Sequence, residues 1–137
     1  MPVIGIGGDH MPISWSVDVE RHVIRVKWRG IVTAGDLGNY FRNMMSDANA
    51  LAICRCIADL RGAEIQLSGR DVQAVIRDVV RPLLGGRTWT SAIVADDAVA
   101  FGTSRQYESY SQGFNRSAIF DDEVQALAWL LASPEMP

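Results

Sequence analysis

Two periods of apolar residues run through this chain. Trp15, Val17 and Val19 alternate with Ser14, Ser16 and Asp18, and Ile24, Val26 and Trp28 alternate with Arg25, Lys27 and Arg29. A period of two divides a strand between two faces, so both stretches are predicted as strands with one wet face. The short link through Glu20 and Arg21 joins them as an antiparallel hairpin. The spacing then becomes helical: Leu37, Tyr40, Phe41, Met44 and Met45 share one stripe, behind a capping start at Thr33-Ala34-Gly35-Asp36. Residues 53–58 are nearly all apolar, as in a strand covered on both faces, and Arg55 within them needs an edge position or a partner. Ser68-Gly69-Arg70-Asp71 opens a second helix with the stripe Val72, Val75, Ile76, Val79, Val80 and Leu83, which Pro82 and Gly85-Gly86 are expected to end. Residues 91–95 form another buried strand. Asp96-Asp97 then starts a third helix reaching Tyr110, with Gly102 inside it as a sign of close backbone approach. Residues 117–120 are a last short strand. Asp121-Asp122-Glu123 leads into a fourth helix whose expected buried stripe is Val124, Leu127, Ala128 and Leu131.

The order β-β-α-β-α-β-α-β-α defines an α/β fold. It predicts a single-layer, mixed, mostly parallel sheet with an N-terminal hairpin at or near one edge and four helices. Residues 13–133 are read as one domain, residues 1–12 as a flexible N-terminal arm or a short edge extension, and residues 134–137 as a tail. Gly5-Ile6-Gly7-Gly8 is not read as a phosphate loop. It lacks a strand before it and a helix after it, and Pro12 blocks an early helix.

Composition narrows the chemistry. The formal net charge is −3, which offers no basic footprint for nucleic acid. Lys27 is the only lysine, which leans against Schiff-base and lysine-dependent phosphate chemistry. His10 and His22 are the only histidines and neither has a serine or cysteine elbow nearby, so nucleophilic hydrolysis is disfavoured. Cys54 and Cys56, two apart on a predicted strand, are read as reduced core residues, which suits a cytoplasmic setting. No second Cys or His cluster completes a metal site, and no cofactor is implied. No segment approaches the length of a membrane span, and the start lacks the features of a signal peptide. The four tryptophans are read as core or sheet-face residues.

Strand ends are the place to look in an open α/β sheet. Here they carry Asp59 and Arg61, Asp96 and Asp97, and Asp121 and Asp122. Converging carboxylates would support a metal-dependent phosphoryl-transfer or phospho-acceptor site, but acids at helix starts ordinarily act as caps. Arg61 beside Asp59 reads first as a structural pair and second as an anion contact. Arg105, Tyr107 and Glu108 form a polar and aromatic set on the third helix, with Arg105 either pointing beneath the neighbouring loop or lying on a solvated face. Ser68 is an N-cap, with its hydroxyl on the amide of Asp71 and Asp71 reaching back, and such a serine is also a candidate phosphoserine. Asp59, Arg61, Ser68, Arg105, Tyr107 and Glu108 are therefore the candidate residues for binding a ligand or partner. A carrier of a small apolar or lipid ligand is a further reading, which requires a cavity between sheet and helices.

Ile57-Ala58-Asp59-Leu60-Arg61-Gly62-Ala63, Phe101-Gly102-Thr103-Ser104-Arg105-Gln106-Tyr107-Glu108, Ile119-Phe120-Asp121-Asp122 and Ala126-Leu127-Ala128-Trp129-Leu130 together resemble the bacterial SpoIIAA-like family, which has a STAS-like fold. The resemblance covers roughly residues 13–132. It implies a non-catalytic regulatory or ligand-binding module whose partner is a protein or a small molecule. A homodimer through a free edge of the hairpin is one reading of its assembly. In the anti-sigma-factor antagonists of that fold a serine at the start of the second helix is phosphorylated. Ser68 falls at that place, while Leu67 stands where those antagonists carry an acidic residue.

Overall fold

The computed structural model describes residues 3–7 and 11–132. The chain runs through β1 (Val3–Gly7), β2 (Ile13–Asp18), β3 (Val23–Trp28), β4 (Ile31–Thr33), α1 (Ala34–Met45), α2 (Ala48–Ile53), β5 (Arg55–Asp59) and β6 (Glu64–Gln66). It continues through α3 (Gly69–Val75), a π-helical turn (Ile76–Val80), α4 (Arg81–Leu84), β7 (Trp89–Val94), α5 (Ala98–Tyr110), β8 (Asn115–Phe120) and α6 (Glu123–Ala132). The main sheet has the order β1-β2-β3-β5-β7-β8, and β4 pairs with β6 in a small parallel sheet of their own. The first two pairings are antiparallel and the next three are parallel. This is the mixed, mostly parallel sheet that the alternation predicted, with the β2–β3 hairpin near one edge and β1 outside it.

From β3 onward every new strand is added on the same side of the last. Crossovers between parallel strands are right-handed, so three steps in one direction put their helices on one face. Accordingly, residues of α1, α3 and α5 share one core with Ile24, Val26, Cys56 and Ile93 of the sheet. The opposite face has a smaller core in which Val23, Ile57, Ala92 and Val94 meet Ala126 and Leu130 of α6. α6 lies mainly against β5, β7 and β8 and covers β3 at its Val23 end, so Ser14, Ser16, Arg25 and Lys27 on that face are half-buried.

Several local expectations are corrected. Residues 3–7, expected in a flexible arm or an edge extension, pair with β2 as an edge strand. Residues 1–2, 8–10 (with His10) and the 134–137 tail lie outside the described residues. There are five helical bodies among the described residues, not four, because α2 precedes β5. The Asp47 carboxylate caps α2, accepting from the amides of Asn49 and Ala50 at 2.9 and 3.1 Å. Cys54 therefore lies off the strand, in the left-handed conformation that closes α2 (φ 55°), and does not share a strand face with Cys56. Both cysteines are free and buried. Pro82 does not end the second long helix. The proline ring crowds the carbonyl four residues earlier, and the wide turn just before it relieves that conflict, with the Arg81 amide donating five residues back to Ile76. The helix stops at Gly85, which takes the left-handed cap position (φ 61°).

Gly102 has open space where a Cβ would stand, so no backbone approaches it. The close approach is at Gly69, where a Cβ would meet the Gln106 side chain of α5 at 3.1 Å. The stripe expected to bury α6 is out of phase: Ala126 and Leu130 are buried, while Val124 is 77% exposed. A helix that is apolar nearly all round does not announce its inner face by periodicity.

Leu130 is fully buried and anchors α6. Leu130→Ala is expected to lower unfolding stability by about 2–5 kcal/mol, measured by urea denaturation. A loss below 1 kcal/mol would mean that α6 contributes little to the second core.

Candidate functional site

The strand-end residues are taken up by one another. β5 alternates Arg55, Ile57 and Asp59 toward α6 with Cys56 and Ala58 toward α1, α3 and α5. The Arg61 guanidinium forks onto Asp59, donating from Nε at 2.9 Å and from Nη2 at 3.0 Å, and the Arg61 amide adds a bond at 3.0 Å. Lys27 Nζ lies 3.2 Å from the same carboxylate and donates to the Arg61 carbonyl at 2.9 Å. Burial alone would raise the Asp59 carboxyl, but the Arg61 donors and Lys27 outweigh it and hold the group below its ordinary value. This is a scaffold tying β3, β5 and the following loop together.

The other strand-end acids do not converge on a shared centre. Asp97 accepts from the Ala100 amide at 2.8 Å and Asp122 from the Val124 amide at 2.6 Å, each capping its helix. Among the described residues no three His, Cys, Asp or Glu side chains are placed to hold a metal ion. The topology gives the reason: a sheet that grows in one direction from β3 to β8 has no point where the strand order reverses, and so no crevice there.

Ser68 forms the full capping box. Its hydroxyl accepts from the Asp71 amide at 3.1 Å, and its own amide donates to the Asp71 carboxylate at 2.8 Å. The serine is exposed, but Asp71 already holds a negative charge where a phosphate would sit. Arg105 is 67% exposed on its side chain, lying near Glu108 at 3.8 Å and over the Phe101 ring at 5.9 Å. It therefore lies on the solvated face and not beneath a loop. Glu108 accepts from the Ser117 hydroxyl at 3.1 Å. Ser68 and Tyr107 belong to the side of α1, α3 and α5, whereas Asp59 and Arg61 face α6. The sheet separates the two groups, and the six candidate residues are not one site.

Tyr107 alone among the six lines the cavity on the helix-covered side of α1, α3 and α5. It measures about 60 Å³ and lies between the sheet and α1, α3 and α5, room for about four waters or one molecule of a few heavy atoms. Trp28 of β3, Tyr40 of α1, Cys56 of β5, Ser91 of β7 and Thr103 of α5 contribute to its wall, which carries no Asp, Glu, Lys, Arg or His. Phe41 stacks on Tyr107 with centroids 6.3 Å apart and planes 10° from parallel. Burial pushes the Tyr40 and Tyr107 phenols upward, and it raises the Cys56 thiol against the opposing bonds from Trp89 and Ser91. All three groups are neutral near pH 7.

The polar atoms on one wall satisfy each other in a chain. The Trp89 indole donates to Cys56 Sγ at 3.4 Å, the thiol to Ser91 Oγ at 3.7 Å, and Ser91 to Asn115 Oδ1 at 2.9 Å. The Asn115 amide donates to Ser111 Oγ at 3.1 Å, and Ser111 to the Tyr107 carbonyl at 2.6 Å. Among the described residues the buried indole N–H of Trp28, which belongs to this wall, has no partner, and neither has that of Trp15 outside it. Apart from Tyr107, sequence reasoning missed this wall. Its available signal was hydroxyl residues at inward positions of otherwise apolar elements, Ser91 in β7 and Thr103 and Ser104 in α5.

No family model, no curated protein and no solved structure matches the chain. The fold and the side chains themselves are therefore the ground for any functional reading.

The Asp59 carboxyl is held low in the folded state, so its contribution is present above its unfolded value near pH 3.9 and is lost as pH falls through the depressed folded value. Asp59→Asn is expected to destabilise the protein by about 1–2 kcal/mol at pH 7, after allowance for partial exposure. The difference from the parent should shrink as pH drops below about 4, in denaturant titrations across pH. A deficit that is constant with pH would overturn the assignment of that stability to the ionised pair.

Proposed function

We propose that this protein is a non-catalytic binding module, STAS-like and akin to the SpoIIAA-like family, which holds a small uncharged ligand between its sheet and the helices α1, α3 and α5. The observation that carries this reading is the neutral cavity beside Tyr40, Cys56 and Tyr107. Its mostly apolar wall rewards apolar contact. The absence of an ionised lining residue penalises a charged guest, which would be desolvated without a counter-ion. The partnerless Trp28 N–H supports a guest bearing one hydrogen-bond acceptor, because a buried donor left unmade costs about 1–3 kcal/mol. The cavity is small beside pockets for drug-sized molecules, so the fitting guests have few heavy atoms.

The capping role of Asp97 and Asp122 and the Asp59–Arg61 pairing weigh against a phosphoryl centre on the acidic strand ends.

The test is thermal denaturation with xenon, cyclopropane and acetonitrile as probes, beside the variant Ala58→Leu, which adds volume at the cavity wall. A guest present at 100 times its Kd stabilises the native state by about 2.7 kcal/mol, read as a rise of several degrees in Tm. The variant is expected to lose that response and to retain a cooperative transition. If none of the three probes raises Tm, or if Ala58→Leu responds as the parent does, the cavity is not a binding site.

A further inference from the structure

The face of the sheet opposite the cavity carries a second constellation. Beyond Val23, which α6 covers, a cleft of about 430 Å³ lies over β2 and β3, bordered by Glu123 of α6 and Asp59 of β5. We propose that this cleft is a binding site for a small molecule bearing two oxyanion groups, held by Arg25 and Arg29 with Lys27 between them. The site is independent of the cavity reading, since none of its five charged residues belongs to the cavity wall, although Val26 of β3 borders both.

Strand geometry makes the row. Arg25, Lys27 and Arg29 are two residues apart, so they project from one face at intervals of about 7 Å. Ser16 and Ser14 stand directly across from Arg25 and Lys27 on β2 and add hydroxyl donors to the same cleft. Of the charged lining residues, three are cations and two, Asp59 and Glu123, are acids. That leaves a local surplus of one positive charge on a protein whose net charge is −3.

Donor capacity decides which cations are available. A guanidinium has five N–H donors. Arg61 has committed its fork to Asp59, and Lys27 is drawn to Asp59 and the Arg61 carbonyl. Among the described residues the Arg29 side chain makes one bond, from Nη1 to Ser14 Oγ at 2.8 Å. The Arg25 side chain likewise makes one, from Nε to the buried Asp18 carboxylate at 3.2 Å. Its Nη1 lies 3.7 Å from Glu123, beyond hydrogen-bonding distance. Glu123 is half exposed and stands 3.7 Å from both Arg25 and Arg61. It is a loosely held internal carboxylate in the position that a bound oxyanion takes. Arg25 and Arg29 lie about 13 Å apart along the strand, a span for two anionic groups and not for one, and guanidinium forks suit carboxylate and phosphate alike.

Pyrophosphate and citrate are the soluble probes, with the arginine Nε–H signals of Arg25 and Arg29 followed by NMR. Vesicles of phosphatidic acid, against phosphatidylcholine alone, test a lipid headgroup as the source of the same chemistry. Saturable shifts at both arginines are expected with at least one soluble probe. Arg25→Gln and Arg29→Gln should each weaken binding at least tenfold, Glu123→Gln should tighten it severalfold, and Arg105→Gln, on the other side of the sheet, should leave it unchanged. Vesicle binding abolished by Arg29→Gln, in the absence of soluble binding, supports the oxyanion site with a lipid source. Failure of every probe, or weak binding that survives both arginine substitutions (an adventitious ion only), overturns the proposal.

Discussion

Strand β3 has to satisfy two opposite environments with alternate residues, and much of the molecule depends on it. Ile24, Val26 and Trp28 enter the large core, while Arg25, Lys27 and, just past the strand, Arg29 border the cleft on the other face. β3 is also where the sheet changes sense, antiparallel to β2 and parallel to β5. A slip of one residue would turn every one of these side chains to the wrong side. The cavity and the cleft are therefore the two faces of one strand, and the same alternation that folds the chain keeps a neutral pocket and a cationic groove apart.

Polar contacts pin that register at both ends of the strand. At its start, the buried Arg55 side chain reaches from β5 to the turn of the hairpin and donates to the carbonyls of Arg21 and His22, each at 2.8 Å. The buried Asp18 carboxylate accepts from the Arg21 amide at 3.1 Å and from Arg25 at 3.2 Å. Burial works to raise Asp18, yet these donors prevail and its carboxyl sits below the ordinary value. At the other end, Lys27 joins Asp59 and the Arg61 loop. Each buried charge has found partners, the condition under which burial of a charge is tolerated.

The large features were legible because they follow from period and punctuation. The hairpin, the parallel order and the α1 stripe all came from spacing, and the capping boxes at Thr33 and Ser68 came from residue type three positions apart. What escaped was governed by contacts between distant elements. Six residues of α2 are too few for a period to show, although Asp47 marked the start. α6 is apolar on nearly every side, so only its packing on Ile57 and Val94 selects the inner face. Asp59 was placed at a strand end correctly, yet which neighbours it gained depended on the face of β5 from which it projects. That is why Ser68 and Arg105 turned out to lie across the sheet from it. The cavity wall was illegible because its members come from six elements, and no local pattern says that Trp28 and Thr103 will border the same space.

The size of the cavity bounds what filling it is worth. At about 24 cal/mol per Å³, an apolar guest that fills 60 Å³ gains about 1.4 kcal/mol of packing, beside a whole stability of order 5–15 kcal/mol. Trp28, a residue of the wall, also has a buried indole N–H with no partner among the described residues. The surrounding groups do not share this looseness. The chain from Trp89 through Cys56, Ser91 and Asn115 to Ser111 is satisfied at every link, and Phe41 stacks on Tyr107. Underpacking confined to the middle of a well-bonded wall is a local deficit that a guest of the right shape removes without rearranging the wall, because the wall is already held in place.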